Sequence, residues 1–236
     1  IYNCFARTAA FSPNGADTKI RFRLAEYDPN GRKMEEKGIN RYSLSTSDLN
    51  NLNPEKIKNN PKICWDYKRY LNIWIVENMG NSVSTPHYIL NTADLNQIQG
   101  VSFEQLSLEE IEKQEYSLTD IGLIYGARDF AIEDVGYPTQ MGKFFGLLDT
   151  ENQKEDYCED TFAYNTYKEP WNTALEGSNS RLKISTDGLI FYSVNIMDAS
   201  SYKNTISMDQ VKRIRTITDN CPHRWAWKSD WAFTGK

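Results

Sequence analysis

The sequence predicts an α+β fold, and three stretches carry that expectation. Thr18 to Ala25 alternates polar and apolar residues, with Ile20, Phe22 and Leu24 on one face, the period of a half-buried strand. Tyr137 to Thr150 sets Met141, Phe144, Phe145 and Leu148 at i, i+3, i+4 and i+7, the apolar stripe of a helix. Ser207 with Gln210 three positions on has the form of a capping box, and Val211, Ile214, Arg215 and Thr218 continue a last helix. No internal repeat or linker divides the chain. It reads as one domain, with an N-terminal subdomain over about 1–149 and a C-terminal one over about 150–236.

In chain order, Ser12-Pro13-Asn14-Gly15 and Asp28-Pro29-Asn30-Gly31 are turn signals, the second leading to a short strand over Gly38–Tyr42. Residues 44–62 are polar and read as surface loop with one helical turn. Tyr70–Val76 is nearly continuous in apolar residues, which predicts a central strand covered on both faces. Residues 80–120 are polar and irregular, with a short helix opening near Leu106–Glu110. Asp120–Tyr125 is a second apolar strand. In Tyr137–Thr150, Pro138 suits a first helical position. Gly142 and Gly146 are costly inside a helix, so they predict close packing or a helix that stops near Gly146. Residues 151–180 read as a long loop and Gly188–Val194 as a strand or a buried irregular segment. Trp225, Trp227, Trp231 and Phe233 alternate in part and read as packing, a short strand or a binding surface.

Composition narrows the classes of function. At 236 residues with 39% hydrophobic and 13% aromatic content, the chain can bury a substantial core. A net charge of −5 gives no electrostatic footprint for nucleic acid. No apolar run approaches the roughly 20 residues of a membrane span. The chain starts at Ile1 without an initiator methionine, which reads as a trimmed product. Four cysteines (Cys4, Cys64, Cys158, Cys221) show no C-x-x-C spacing, leaving buried thiols or the disulfides of an exported protein. The two histidines, His87 and His223, are far apart and read as surface or capping residues.

The order of these segments resembles a known family. D-T-K-I-R-F-R-L-A-E-Y-D-P-N-G, G-I-N-R and W-D-Y-K-R-Y-L-N-I-W-I-V are similar to the N-terminal half of pappalysin-like metzincins, secreted zinc endopeptidases. E-D-Y-C-E-D-T (155–161) resembles their calcium-site loop, N-I-M-D-A-S-S (195–201) their Met-turn around Met197, and I-S-M-D-Q-V-K-R-I-R (206–215) their closing helix. The resemblance points to a branch of lipoprotein metzincins from gut-type Bacteroidetes. It implies a metzincin-like zincin fold: a twisted mixed sheet with an active-site-type helix and a C-terminal helix.

Between those flanks the family carries H-E-x-x-H-x-x-G-x-x-H. Two histidines at i, i+4 share a helix face and bind zinc, the glycine permits a sharp turn, and a third histidine completes the site. The glutamate is the general base. On that pattern Thr139 stands at the first histidine, Gln140 at the glutamate, Lys143 at the second histidine, Gly146 at the glycine and Asp149 at the third histidine. Ala199 replaces the tyrosine that follows the Met-turn. A hydroxyl is a poor zinc ligand, an ammonium has no lone pair, and an amide is not a base. The resemblance therefore implies a pseudo-peptidase with no zinc, in which Lys143 and Asp149 pair across the vacated place.

The same resemblance implies oxygen donors for calcium at Asp156, Asp160 and Thr161, and a disulfide between Cys158 and Cys221. The functional expectation is a binding or scaffold protein for a protein, peptide or glycan ligand, exported to the cell surface or periplasm, with a lipid anchor upstream of Ile1. The alternatives are a secreted metalloendopeptidase with a rebuilt metal site, or a structural module of a larger surface lipoprotein.

Overall fold

The computed structural model describes residues 15–43, 54–77, 80–92, 98–127, 136–151, 155–164, 182–198, 203–230 and 232. Cys4, Ala199, Trp231 and Phe233 lie outside the described residues. Within them the elements run α1 (Pro54–Lys58), β1 (Asn72–Val76), β2 (Tyr88–Leu90), β3 (Glu104–Leu106), α2 (Leu108–Lys113), α3 (Leu118–Ile121), β4 (Gly122–Gly126), α4 (Tyr137–Phe144), β5 (Leu182–Ile184), β6 (Ile190–Tyr192) and α5 (Met208–Asn220). A 3-10 helix, Pro222–Lys228, follows.

The class is α+β, but the described strands form three separate pairs rather than one twisted mixed sheet. β1 pairs β4 in parallel, β2 pairs β3 in parallel, and β5 pairs β6 antiparallel. Thr18–Ala25 joins no ladder, and Lys19 within it takes a left-handed φ of 62°. Its backbone turns instead to the last helix: the Ala16 N–H donates to the Ile206 carbonyl at 2.8 Å, and the Arg215 guanidinium donates to the Thr18 carbonyl. Ile20 and Phe22 pack on the core, while Leu24 is exposed. Gly38–Tyr42 is likewise not a strand. The turn at Asp28–Gly31 forms as its residues require, with the Gly31 N–H bonded to the Asp28 carbonyl at 2.9 Å.

The two apolar runs differ in burial. β4 is buried along its whole length, whereas β1 alternates, with Ile73 42% and Ile75 49% exposed. The apolar run Tyr70–Val76 is thus a one-sided strand. Capping predicts the helices better. Ser107 and Glu110 open α2, and Ser207 and Gln210 open α5, each with the reciprocal bonds of a capping box.

The main core cluster joins β4 (Leu123, Tyr125), α4 (Met141, Phe144), the turn after it (Phe145, Leu147), the turn at Ile196 and Met197, where the resemblance sets a Met-turn, and α5 (Ile214). α4 is therefore held from three directions before any polar contact is counted. No described helix is long and apolar enough to cross a membrane.

Candidate functional site

The sequence pattern that builds α4 also fixes where its side chains point. Gly136 takes the N-cap position in the left-handed region, and Pro138 sits in the first turn. A Cβ on Gly142 would lie 2.5 Å from Met197 Sδ, so this glycine is what lets the Met-turn approach the helix. The helix ends at Phe144. Gly146, at φ +84°, turns the chain away, and the Leu147 N–H reaches back to the Gly142 carbonyl at 2.9 Å.

Two buried guanidinium groups receive the carbonyls at this helix end. Arg224 Nε–H donates to the Phe144 carbonyl at 2.7 Å, with its guanidinium carbon 3.6 Å from the Phe144 ring centroid. Arg213 Nε–H donates to the Gly146 carbonyl at 2.6 Å. Cations belong at a helix C-terminus, where the unpaired carbonyls concentrate partial negative charge. Arg213 and Arg224 are 67 and 80 residues from the carbonyls they bond, so no local pattern marks either role.

Thr139 and Lys143, four residues apart, share one face of α4. The buried Thr139 hydroxyl donates to the Ile196 carbonyl at 2.5 Å and accepts from Lys203 Nζ at 2.6 Å. Lys143 Nζ donates to Asp149 Oδ2 at 2.9 Å, the expected pair across the Gly146 turn, with both side chains partly exposed. Gln140, between them, is half-buried. Lys203 is the residue that sequence reasoning missed, because it lies outside every motif.

Behind this face the Met-turn is fixed by amides. Asn195 Nδ2 donates to Gln210 Oε1 at 2.8 Å, and Gln210 Nε2 donates back to Asn195 Oδ1 at 3.1 Å. Asp198, 3% exposed, accepts from the Thr150 hydroxyl at 2.7 Å, and burial pushes its carboxyl above the usual range. The buried Lys183 ammonium acts on Asp198 electrostatically and stands 4.7 Å from the Tyr164 ring centroid.

The loop at 155–161 takes up its own donors. Asp156 accepts from the Thr161 hydroxyl at 2.7 Å and from the Cys158 N–H at 3.2 Å, and burial raises its carboxyl. Asp160 instead faces α5, accepting from the Ser207 hydroxyl at 2.6 Å and the Asp209 N–H at 3.0 Å. The oxygen chemistry of Asp156, Asp160 and Thr161 suits calcium; here Thr161 bonds Asp156 while Asp160 bonds the start of α5.

The expected disulfide is absent: Cys158 and Cys221 are both free and buried. Arg213 and Asp209 act on Cys158, which places its loop beside the first half of α5. Cys221 lies just beyond the other end of α5, packed with Ile89, Ile98 and Ile217. From Arg213 to Cys221 is about 12 Å of helix rise, beyond the reach of a disulfide. His223 is not a surface residue either. It is buried, with Tyr67 at 5.2 Å, Tyr116 at 5.3 Å and Tyr88 at 6.0 Å between centroids.

The donors at the zinc-motif positions do not fit zinc. The Thr139 hydroxyl hydrogen is committed to a carbonyl and its oxygen to an ammonium; Lys143 offers only N–H donors; Asp149 alone has a ligand's lone pairs, and it holds Lys143. Among the described residues no three His, Cys, Asp or Glu side chains group as a metal site would require.

No family model and no curated protein matches the chain. Solved structures do. Mature mirolysin of Tannerella forsythia in complex with a cleaved peptide aligns at a TM-score of 0.51 and 17% identity, over 98% of this chain and 86% of that one. Mirolysin in complex with compound 9 aligns at 0.51 and 16% identity, over 98% and 85%. Mirolysin is a metzincin-type metallopeptidase, so the likeness establishes a zincin-like α+β fold.

Proposed function

We propose that this chain is a pappalysin-like metzincin relative whose zinc motif has degenerated, and that it acts by binding rather than by hydrolysis. The observation that carries the reading is the Lys143–Asp149 pair at two of the motif's ligand positions. A zinc peptidase needs a dication to polarise the peptide carbonyl and a base to take a proton from water. Here an ammonium stands near the place of the dication, and Gln140 stands at the position of the base. An amide neither accepts that proton nor becomes an anion.

The motif positions keep neither the dication nor the base, so the activity left to this face of α4 is recognition. A peptide is the first occupant to test, since mirolysin carries a cleaved peptide in a chain of similar fold. A glycan or a protein partner would use the same face. An exported location, at the cell surface or in the periplasm and with a lipid anchor, belongs to the same proposal.

Metal analysis of the purified protein, run beside a general peptidase assay with and without chelator, tests the proposal. No stoichiometric zinc and no chelator-sensitive cleavage are expected, together with retention of cell-surface peptides or glycans in a pull-down. Stoichiometric zinc with chelator-sensitive cleavage would overturn it in favour of a rebuilt metalloendopeptidase. Empty pull-downs from every extract would instead point to a structural module.

A further inference from the structure

The contacts at the motif positions also bear on what holds the fold together around α4. Four segments meet there: α4 itself, the loop that returns after Gly146, the Met-turn, and the strand of chain that enters α5. In a zinc site one ion ties such segments by binding side chains from a helix and from beyond the glycine turn. In this chain backbone bonds join neighbouring segments, Ile196 N–H to the Thr205 carbonyl and Leu147 N–H to the Gly142 carbonyl, each at 2.9 Å, and two lysine side chains add ties at the motif positions.

We propose that Lys143 and Lys203 take over the tying role of a metal, so that the structure around α4 stands without a divalent cation. Lys143 reaches across the Gly146 turn to Asp149 at 2.9 Å and thereby links the helix to the segment where a third ligand would sit. Lys203 reaches Thr139 Oγ1 at 2.6 Å, and that hydroxyl passes its single hydrogen to the Ile196 carbonyl at 2.5 Å. The hydrogen-bond inventory closes. A threonine hydroxyl has one hydrogen and two lone pairs, and here the hydrogen goes to the Met-turn backbone while a lone pair receives the ammonium. Thr139 Oγ1 thus fastens α4 to the Ile196 turn and to the approach to α5, two segments that the Ile196 N–H to Thr205 carbonyl bond already joins.

The two ties differ in sequence span. Lys143 to Asp149 closes six residues, whereas Lys203 to Thr139 brings together positions 64 apart. The longer tie couples the two parts of the chain; the shorter one fixes the local turn. Lys203 thus acts on α4 through Thr139. The proposal rests on the reading of a degenerate zinc motif, but it concerns stability and metal dependence and not the identity of a ligand.

Thermal unfolding tests it on the whole chain. Excess chelator or added zinc is expected to shift Tm by less than about 1 °C, while Lys203→Met and Lys143→Met are each expected to lower Tm by roughly 2–6 °C. Thr139→Val should reduce the effect of Lys203→Met, and Asp149→Asn that of Lys143→Met, since residues in direct contact are not additive. Lys203→Arg, which keeps a cation and a donor, should recover part of the loss. A chelator-induced fall of more than about 5 °C, a comparable rise with zinc, or fully additive pairs would overturn the proposal. If Lys203→Met does not fold, the chelator and zinc arms on the unaltered protein and the Lys143–Asp149 cycle decide it. Peptide binding can fail while these results hold, so the two proposals are separable.

Discussion

His223 sits within a box of three tyrosine rings, and burial, reinforced by the positive charge of Arg224, lowers its pKa from 6.5 to about 4. Asp120, His87 and Lys68 are the other charges that act on it. The imidazole is therefore neutral in the folded protein at every pH above that value. In the unfolded chain it takes up a proton as pH falls through its ordinary value. Its contribution to stability is thus complete above about pH 6.5 and is lost progressively as pH falls from 6.5 to 4, by up to about 3 kcal/mol. Burial raises the Asp156 and Asp198 carboxyls, which act in the opposite direction, so the comparison must isolate the histidine. Urea midpoints of the unaltered protein and of His223→Gln, measured between pH 4 and 7.5, should converge toward acid pH. Parallel pH profiles would refute the assignment. Nothing in the sequence around Pro222-His223-Arg224 signals this burial, because the three tyrosines come from segments far removed in the chain.

At the scale of one element, the start of α4 at Pro138 and the turn near Gly146 follow from residue types, but the expected apolar stripe does not hold as a helical face: the helix ends at Phe144, so only Met141 and Phe144 lie on it and Phe145 and Leu148 fall beyond its end. What the sequence left open was the reason for the two glycines. Gly142 makes room for Met197, and Gly146 combines a left-handed backbone with a Cβ position only 2.8 Å from Ile217 Cγ1. Gly146→Ala should therefore cost about 2–4 kcal/mol, the sum of left-handed strain and overpacking. Gly136→Ala is the control: it shares the positive φ, but its Cβ would meet nothing within 4 Å, so only the strain of about 1–2 kcal/mol applies. Equal losses of Tm in the two variants would show that Ile217 does not crowd the turn. The strands were less legible, for a related reason. Apolar content marks β1 and β4 alike, yet which face is covered depends on packing that no local pattern encodes.

Across the whole molecule the largest error was the disulfide. A pairing of Cys158 with Cys221 treats neighbouring segments as neighbouring residues, whereas the two thiols lie toward opposite ends of α5. Burial pushes Cys158 up to about 12 and Cys64 up to about 11, so these thiols are poor nucleophiles in the folded state. Alkylation of the native protein should leave Cys158 and Cys221 largely unmodified, and alkylation after denaturation without reductant should label both. Recovery of a Cys158–Cys221 cross-linked peptide would refute this. Stability here comes instead from a core shared among β4, α4, the Met-turn and α5, with arginines from α5 and the 3-10 helix bonded to the end of α4.

The sequence by itself determined the α+β class, the helices at Tyr137 and Met208 and the turn at Gly146. These depend on residue type, period and short-range capping, which are local quantities. Only the tertiary structure decided that Lys203 reaches Thr139, that Arg213 and Arg224 bond to the end of the helix, that Asp160 caps α5, and that the thiols stay apart. Each of these depends on which distant segments share a few ångströms of space, and that is set by the packing of the core rather than by any stretch of chain.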